Sequence, residues 1–160
     1  MTLTYDQYAT YLINWCGIRG NDFKLYFPLK GGWEAWVQAD YAAYVLAQNN
    51  TYDILREVGI YTNNYKRVDW LFNNDDVNVK EKIAIELKCQ SFENRDAFIA
   101  GVQADIAKLA QDELKAQFRN CQTGVMGIYF EEVARTWMLA NQFVEVFQNG
   151  EIGCAIRKLN

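Results

Sequence analysis

Histidine is absent from this chain of 160 residues. Its absence excludes Ser-His-Asp and Cys-His nucleophilic sites, HExxH zinc proteases and the nucleases that use histidine as a general base. Proline occurs once, at Pro28, and glycine ten times, which excludes collagen-like and linker-like chains. The sequence also has no GxxxxGK[ST] or GxGxxG motif, so neither an ATPase phosphate loop nor a dinucleotide-binding turn is predicted.

Basic residues are also fewer than acidic residues. Lys and Arg number 16 against 20 Asp and Glu, which gives a formal net charge of −4 and a pI near 4.9. The strongly basic balance that is typical of nucleic-acid-binding proteins is therefore missing. No apolar run approaches the roughly 20 residues of a membrane helix, and the segment Met1–Asp6 lacks the basic start of a signal peptide. We expect no membrane association and a cytoplasmic location, with export by a signal-free route left open.

The cysteines do not form a pattern that predicts a metal site. Cys16, Cys89, Cys121 and Cys154 are far apart, and none belongs to a CxxC pair. A zinc knuckle or a disulfide framework is therefore not expected, and four buried thiols are. The 51% of hydrophobic residues predicts a sizeable core in a single domain over 1–160.

Hydrophobic periodicity predicts alternating helices and strands. Period-3.6 and period-2 patterns distinguish the two kinds of segment, and Asn-rich turns separate the strands. The expected helices cover 3–17, 33–48, 95–118 and 131–141; the expected strands cover 55–61, 67–72, 82–89 and 123–130; residues 23–28 are expected to be extended, and 143–147 and 152–159 to form a terminal hairpin. We predict an α/β sandwich with a mixed sheet, whose first three strands form an antiparallel meander.

Three charged residues on two neighbouring strands stand out. Glu86 and Lys88 are two apart on one strand, so they share a face, and Asp69 lies on the preceding strand. Two carboxylates at matching heights can share a hard cation such as Mg²⁺, with the Leu87 carbonyl as a further oxygen ligand. Lys88 would then lie beside a metal-bound water. Glu34, on the helix that packs on the sheet, is a possible third acid, with Gln38 one turn further along.

These residues resemble the signature of the PD-(D/E)XK nuclease superfamily. The matching segments are Arg67-Val-Asp69-Trp-Leu-Phe and Ile83-Ala-Ile-Glu86-Leu-Lys88-Cys, with Glu34 on a preceding helix and Val68 in the place of the family's proline. The resemblance covers roughly residues 30–130. It implies a restriction-endonuclease-like αβββαβ core and hydrolysis of phosphodiester bonds with Mg²⁺, or Mn²⁺ in its place, mostly in DNA and sometimes in RNA.

The resemblance also implies roles for individual residues. Asp69, Glu86 and the Leu87 carbonyl are the expected metal ligands, Lys88 positions the water, and Glu34 assists. The residues expected to contact the substrate are Gln38, Lys66, Arg67 and Gln90. Because six positive and six negative residues lie between Arg56 and Gln90, bound Mg²⁺ leaves this region positive. We expect modest, salt-dependent affinity for nucleic acid.

Two interpretations from other classes stay open. The chain could be a catalytically inactive protein-binding module that keeps the fold, or an acidic immunity-type partner of a basic toxin. An active enzyme could in turn have an inhibitor or immunity protein as its partner. Solvated charges on the open face of a sheet would also explain Glu86 and Lys88. The sequence indicates no oligomeric state.

Overall fold

A six-stranded mixed sheet runs through the middle of the molecule, and the computed structural model describes all residues from 1 to 160. The strand order is β1-β2-β3-β4-β6-β5. Only β3 and β4 are parallel, and every other neighbouring pair is antiparallel. In chain order the strands are β1 (Ile54–Val58), β2 (Val68–Phe72), β3 (Ile83–Cys89), β4 (Gln122–Tyr129), β5 (Val144–Asn149) and β6 (Ile152–Lys158).

Helices cover both faces of this sheet. They are α1 (Tyr5–Arg19), the single turn α2 (Phe23–Tyr26), α3 (Glu34–Gln48), α4 (Phe98–Lys108) and α5 (Glu132–Ala140). One face packs against α1 and α3 through a cluster rich in aromatic side chains, among them Trp15 and Trp70. The other face packs against α4 and α5 through a second cluster, which includes Phe98 and Met138. The sheet therefore separates two apolar cores.

Burial on both faces explains the composition of the central strands. Nearly every residue of β3 and β4 is buried, and both strands are apolar over most of their length. A strand covered by helices on both faces is expected to be apolar in this way. Glu86 and Lys88 interrupt the pattern in β3, so their charges require partners inside the fold.

The predicted α/β class with a mixed sheet is confirmed, as is the antiparallel meander of its first three strands. The predicted terminal hairpin is also present. Its strands β5 and β6 are joined at Gly150, whose φ of +63° suits a glycine in a tight turn. All four cysteines are free and buried, as expected.

Two predicted segments differ from the structure. Residues 23–28 are not extended: α2 places Phe23 in the aromatic cluster, with its ring 5.4 Å from that of Trp15. The helix predicted over 95–118 is α-helical only in α4, and short 3₁₀ turns follow it. Leu114, which lies within the predicted helix, forms an isolated antiparallel bridge with Tyr61 and is buried there.

The first strand also ends earlier than its pattern predicts. The expected strand covers 55–61, but β1 ends at Val58 after Glu57, whose φ is +55°. Tyr61 therefore leaves the sheet and pairs with Leu114 in the segment after α4. This departure brings the Tyr61 hydroxyl group to Glu86.

The structure contains no helix with the length and apolar character that a membrane crossing requires.

A buried asparagine, Asn73, ties the N-terminal segment to the sheet. Its side chain accepts from the Leu3 N–H at 2.9 Å and donates to the carbonyl oxygens of Leu3 and Glu81 at 2.8 and 2.7 Å. Its φ of +56° also suits Asn better than Ala. We expect Asn73→Ala to lower the free energy of unfolding by about 3 kcal/mol, because buried backbone groups lose their partners. Urea unfolding measures the change. Asn64→Ala, at an exposed side chain without hydrogen bonds, is the control, and an equal effect of both variants would contradict this account.

Candidate active site

The candidate site begins where β2 and β3 separate. The ladder between these strands ends at the pair Trp70 and Ile85, so the backbone of Leu87 has no strand partner on that side. The Asp69 carboxylate takes the place of a strand partner, because Asp69 Oδ2 accepts the Leu87 N–H at 2.6 Å. Because the N–H and C=O of a strand residue point to the same side, the Leu87 carbonyl oxygen also faces this fork.

Gln38 holds the second oxygen of Asp69. The Gln38 Nε2 donates to Asp69 Oδ1 at 2.6 Å, and the Arg56 guanidinium donates to Gln38 Oε1 at 3.1 Å. Gln38 is buried, and its backbone carbonyl also accepts from the Trp70 indole. This residue, which the sequence led us to expect at the substrate, is largely buried and orients Asp69, and it also lines the pocket beside Glu34 and Asp69.

Glu86 is the most deeply buried acid of the site, with only 2% of its surface exposed. The Tyr61 hydroxyl group donates to its Oε1, and the Lys108 Nζ lies 2.8 Å from the same oxygen. Burial and the nearby Asp69 carboxylate raise the pKa of Glu86 to about 8, despite Lys108 and Tyr61. Burial also raises the pKa of Asp69, to about 6, although hydrogen bonds from Leu87 and with Glu86 oppose the rise. The raised pKa values express the cost of ionising two buried carboxylates, a cost that a bound cation would reduce.

Lys88 lies between two further carboxylates. Its Nζ is 3.3 Å from Glu34 Oε1 and 3.6 Å from Asp105 Oδ2. Burial lowers the pKa of Lys88, but the carboxylates of Asp105 and Glu34 outweigh this effect and raise it. The ammonium is therefore charged at neutral pH. Asp105 Oδ2 is buried and has no hydrogen-bond partner, so the charge of Lys88 is its main compensation.

Glu34 connects α3 to the same strand. It is the first residue of α3, where the helix dipole favours an acid, and its Oε1 accepts the Cys89 N–H at 3.1 Å. Together with Asp69 and Glu57 it lines an open pocket of about 270 Å³ beside Gly31 and Gly32. Glu34 and Asp69 therefore face this pocket, whereas the other charged groups of the site do not line it.

The charged groups form a row in which signs alternate from Glu34 to Glu86, and a second acid, Asp69, follows Glu86. The order is Glu34, Lys88, Asp105, Lys108, Glu86 and Asp69, with 4.0 Å between Asp105 Oδ1 and Lys108 Nζ as the longest of the ion-pair distances. Four carboxylates and two ammonium groups leave a net charge of −2 when all are ionised. One divalent cation would neutralise this charge.

The available ligands fit a hard cation with several waters. The structure contains no group of three or more His, Cys, Asp or Glu residues arranged for a metal ion. Asp69 and Glu86 supply two carboxylates at the fork, and the Leu87 carbonyl faces the same point. Mg²⁺ is commonly held by one or two carboxylates and keeps waters in its other positions, so this donor set suits it.

The other expected substrate contacts lie outside this row. Lys66 is paired with Glu113 at 3.8 Å, and the Arg67 guanidinium donates to the carbonyl oxygens of Asn64 and Lys66. Both side chains are at least partly exposed on the loop before β2. They remain accessible to a ligand.

The side chain of Gln90 makes its hydrogen bonds inside the protein. It is buried, its Oε1 accepts the Phe130 N–H at 2.7 Å, and its Nε2 donates to Glu131 at 3.0 Å. These bonds join the segments that follow β3 and β4. Gln90 therefore fixes the ends of the two parallel strands and is not exposed to a substrate.

Three residues of the site were not expected from the sequence: Tyr61, Asp105 and Lys108. For Asp105 a signal exists, because it occupies a core position in the series Phe98, Val102, Asp105, Leu109, where an apolar residue would be normal. Lys108 gives no such signal, because a lysine in the last turn of a helix is common. Tyr61 was assigned to a strand.

The largest surface cavity lies elsewhere. It measures about 690 Å³ and is lined by the starts of α4 and α5 and by the β5–β6 turn, including Arg95, Glu131 and Glu151. None of the six groups of the charged row lines it. We locate the candidate site by its charged groups, because the volume of a cavity does not by itself indicate reactive groups.

Comparisons with family models and with curated proteins found no relative of this chain. No family model matches the chain, and no curated protein is significantly similar to it. Its function must therefore be inferred from the site.

Proposed function

We propose that this protein is a nuclease of the PD-(D/E)XK type that uses Mg²⁺ to hydrolyse phosphodiester bonds. The proposal rests on one observation above all: at the fork between β2 and β3, Asp69 Oδ2 accepts the N–H of Leu87, the residue that lies between Glu86 and Lys88 in β3. The influence of Asp69 on the pKa values of Glu86 and Lys88 agrees with this proximity. The order α3-β1-β2-β3-α4-β4 supports it further, because it corresponds to the αβββαβ core of that superfamily.

Each residue has a physical role in this hypothesis. Bound Mg²⁺, or Mn²⁺, would lower the pKa of a coordinated water and stabilise charge on the phosphate. Asp69 and Glu86 hold the cation, and the contacts of Asp69 with Gln38 and Leu87 fix its direction. Lys88 remains charged between Glu34 and Asp105, so it can orient the attacking water and offset phosphate charge.

DNA is the substrate that we propose first, with RNA second. Lys66 and Arg67 are the candidate phosphate contacts on the loop before β2. Because the chain carries a net charge of −4, we expect weak binding that falls steeply as salt rises. An inhibitor or immunity protein that covers the pocket beside Glu34 would be a natural partner of such an enzyme.

One observation favours a second candidate, a non-catalytic binding module. Glu86 is covered by Tyr61 and Lys108 and has almost no exposed surface. In a module that has lost activity, this ion pair would be a permanent part of the core. Cleavage distinguishes the candidates, since only the enzyme needs a cation at Glu86.

The test is a cleavage assay with the wild-type protein. Supercoiled plasmid, single-stranded DNA and a folded RNA are incubated at low salt with Mg²⁺, with Mn²⁺ or with EDTA. We expect product with either cation, none with EDTA, and more product from DNA than from RNA. The absence of cation-dependent product from every substrate would reject the enzyme and favour the binding module.

A further inference from the structure

Lys108 is the one cation of the site that contacts a proposed metal ligand. It is the last residue of α4, and its Nζ lies 2.8 Å from Glu86 Oε1 and 5.2 Å from the centre of the Tyr61 ring. About a fifth of its side chain is exposed, whereas Glu86 is buried. The ammonium is therefore the more accessible partner and covers the carboxylate.

The two lysines of the site are held differently. Lys88 is paired with Glu34 and Asp105 at similar distances, so it is restrained from two sides. Lys108 has one close partner, Glu86, and its second carboxylate, Asp105, is 4.0 Å away. A side chain with a single strong partner at the end of a helix can turn away when that partner is taken by another cation.

Charge sets how many cations the site can hold. With all four carboxylates ionised, as they are once a cation has displaced the protons, the row of six groups has a net charge of −2, which one divalent ion cancels. A second ion would leave an excess of positive charge in a partly buried site, where like charges repel more strongly than in water. The positive charges of both lysines therefore oppose the binding of a second ion. Only Lys108, which contacts the proposed ligand Glu86, also opposes the binding of the first ion.

We propose that Lys108 is a built-in competitor for the metal ion: its ammonium occupies Glu86 in the metal-free protein and restricts the site to a single divalent cation. This inference rests on the proposed function, because it takes Glu86 as a metal ligand. It adds a residue that sets the affinity and the stoichiometry of the cation.

The experiment is a calorimetric titration with Mg²⁺ of the wild-type protein and of Lys108→Met, Lys108→Arg and Lys80→Met. A pH of 8.5 is suitable because it lies above the pKa of Glu86 in the wild type, which is about 8. Because Lys108 lowers that pKa, the titration of each variant is repeated at pH 9.5, so that proton competition is separated from competition by the ammonium. Methionine keeps the apolar stem over Tyr61 but removes the charge, and arginine keeps the charge. Lys80 is exposed and its side chain makes no ion pair or hydrogen bond, so Lys80→Met controls for the general loss of one positive charge.

We expect one Mg²⁺ per wild-type chain and a dissociation constant at least about tenfold lower in Lys108→Met. Lys108→Arg and Lys80→Met should stay within about threefold of the wild type. Equal affinity of Lys108→Met and the wild type, or two ions in the wild type, would overturn the inference. A merely structural Lys108 would give weaker binding in Lys108→Met, which also overturns it. If neither protein binds Mg²⁺, both proposals fail, whereas Mg²⁺ binding without cleavage rejects the enzyme alone.

Discussion

Glu86→Gln should lower Mg²⁺-dependent cleavage by about 10³-fold and leave the protein folded. The loss corresponds to about 4 kcal/mol of transition-state stabilisation, which is reasonable when a metal site loses one of two carboxylates. Cleavage of plasmid under single-turnover conditions measures the rate. Urea unfolding of the same preparation measures the fold.

The protein should stay folded because the neutral form of the Glu86 carboxyl group is already favoured in the wild type. Burial and Asp69 raise its pKa to about 8, so the metal-free carboxyl group is mostly protonated at pH 7. Both of its close partners, Tyr61 and Lys108, contact Oε1, which glutamine retains. The amide group can then take the position of Oε2 beside Asp69. We expect the unfolding free energy to change by less than about 1 kcal/mol.

The matched control is Glu151→Gln, at an exposed acid in the β5–β6 turn that makes no ion pair. It should cleave at the wild-type rate. Asp69→Asn is a less informative variant, since both Asp69 oxygens accept N–H groups and an amide would oppose one of them. A Glu86→Gln variant that is folded and cleaves normally would remove Glu86 from the reaction, and with it the proposed metal site.

Lys88→Met should lower the rate by about 10²-fold to 10³-fold, the usual cost of one charged or polar group in a transition state. The matched control is Lys80→Met. Because the ammonium of Lys88 also compensates the buried Asp105, the variant is expected to be less stable as well. The assay is therefore run at a temperature where urea unfolding shows the variant to be native. Normal cleavage by Lys88→Met would contradict the assigned role.

The strands that build the site could be predicted because their patterns are local. Alternation in β2 and in β3 places Asp69 and Glu86 on residues that face the same fork, and the short connection makes the two strands neighbours. The contact between Asp69 and the backbone of Leu87 depends only on this pair of strands. Glu34 was also predictable, as the first residue of a clearly periodic helix.

The predictions that were wrong concern segments whose conformation depends on long-range contacts. Residues 109–118 have apolar side chains that fit a helix, yet Leu114 is buried by pairing with Tyr61, more than fifty positions earlier in the chain. The same pairing takes Tyr61 out of its predicted strand and brings it to Glu86. A local pattern cannot distinguish these outcomes, because either conformation buries the same side chains.

Two amides that were expected to contact the substrate make hydrogen bonds inside the protein. Gln38 and Gln90 are both buried and satisfy groups within the protein, one at Asp69 and one at the ends of β3 and β4. An amide can donate and accept, so it is suited to such internal contacts as well as to a ligand. A buried carboxylate is suited to fewer kinds of internal contact than an amide. Its position is therefore a stronger indication of a functional site.

The metal-free protein should lose stability as the pH rises from about 5 to 8. The pKa of Glu86 is raised from its ordinary value near 4.5 to about 8, and that of Asp69 from near 3.8 to about 6. In this range the folded state therefore binds more protons than the unfolded state, and stability falls with rising pH. The slope reaches at most about 1.4 kcal/mol per pH unit for each such group. Urea unfolding at several pH values measures it.

Mg²⁺ should reverse this dependence, because the cation replaces the proton that the carboxylates otherwise retain. We expect the stabilisation by Mg²⁺ to be larger at pH 8 than at pH 5.5, and binding at pH 7 to release about one proton. Calorimetry in two buffers with different heats of ionisation counts the protons. Glu86→Gln should flatten the pH slope above pH 6 and abolish the release, whereas Glu151→Gln should change neither. A wild-type protein that binds Mg²⁺ without proton release would contradict the assignment of Glu86 as a ligand that is protonated in the metal-free state.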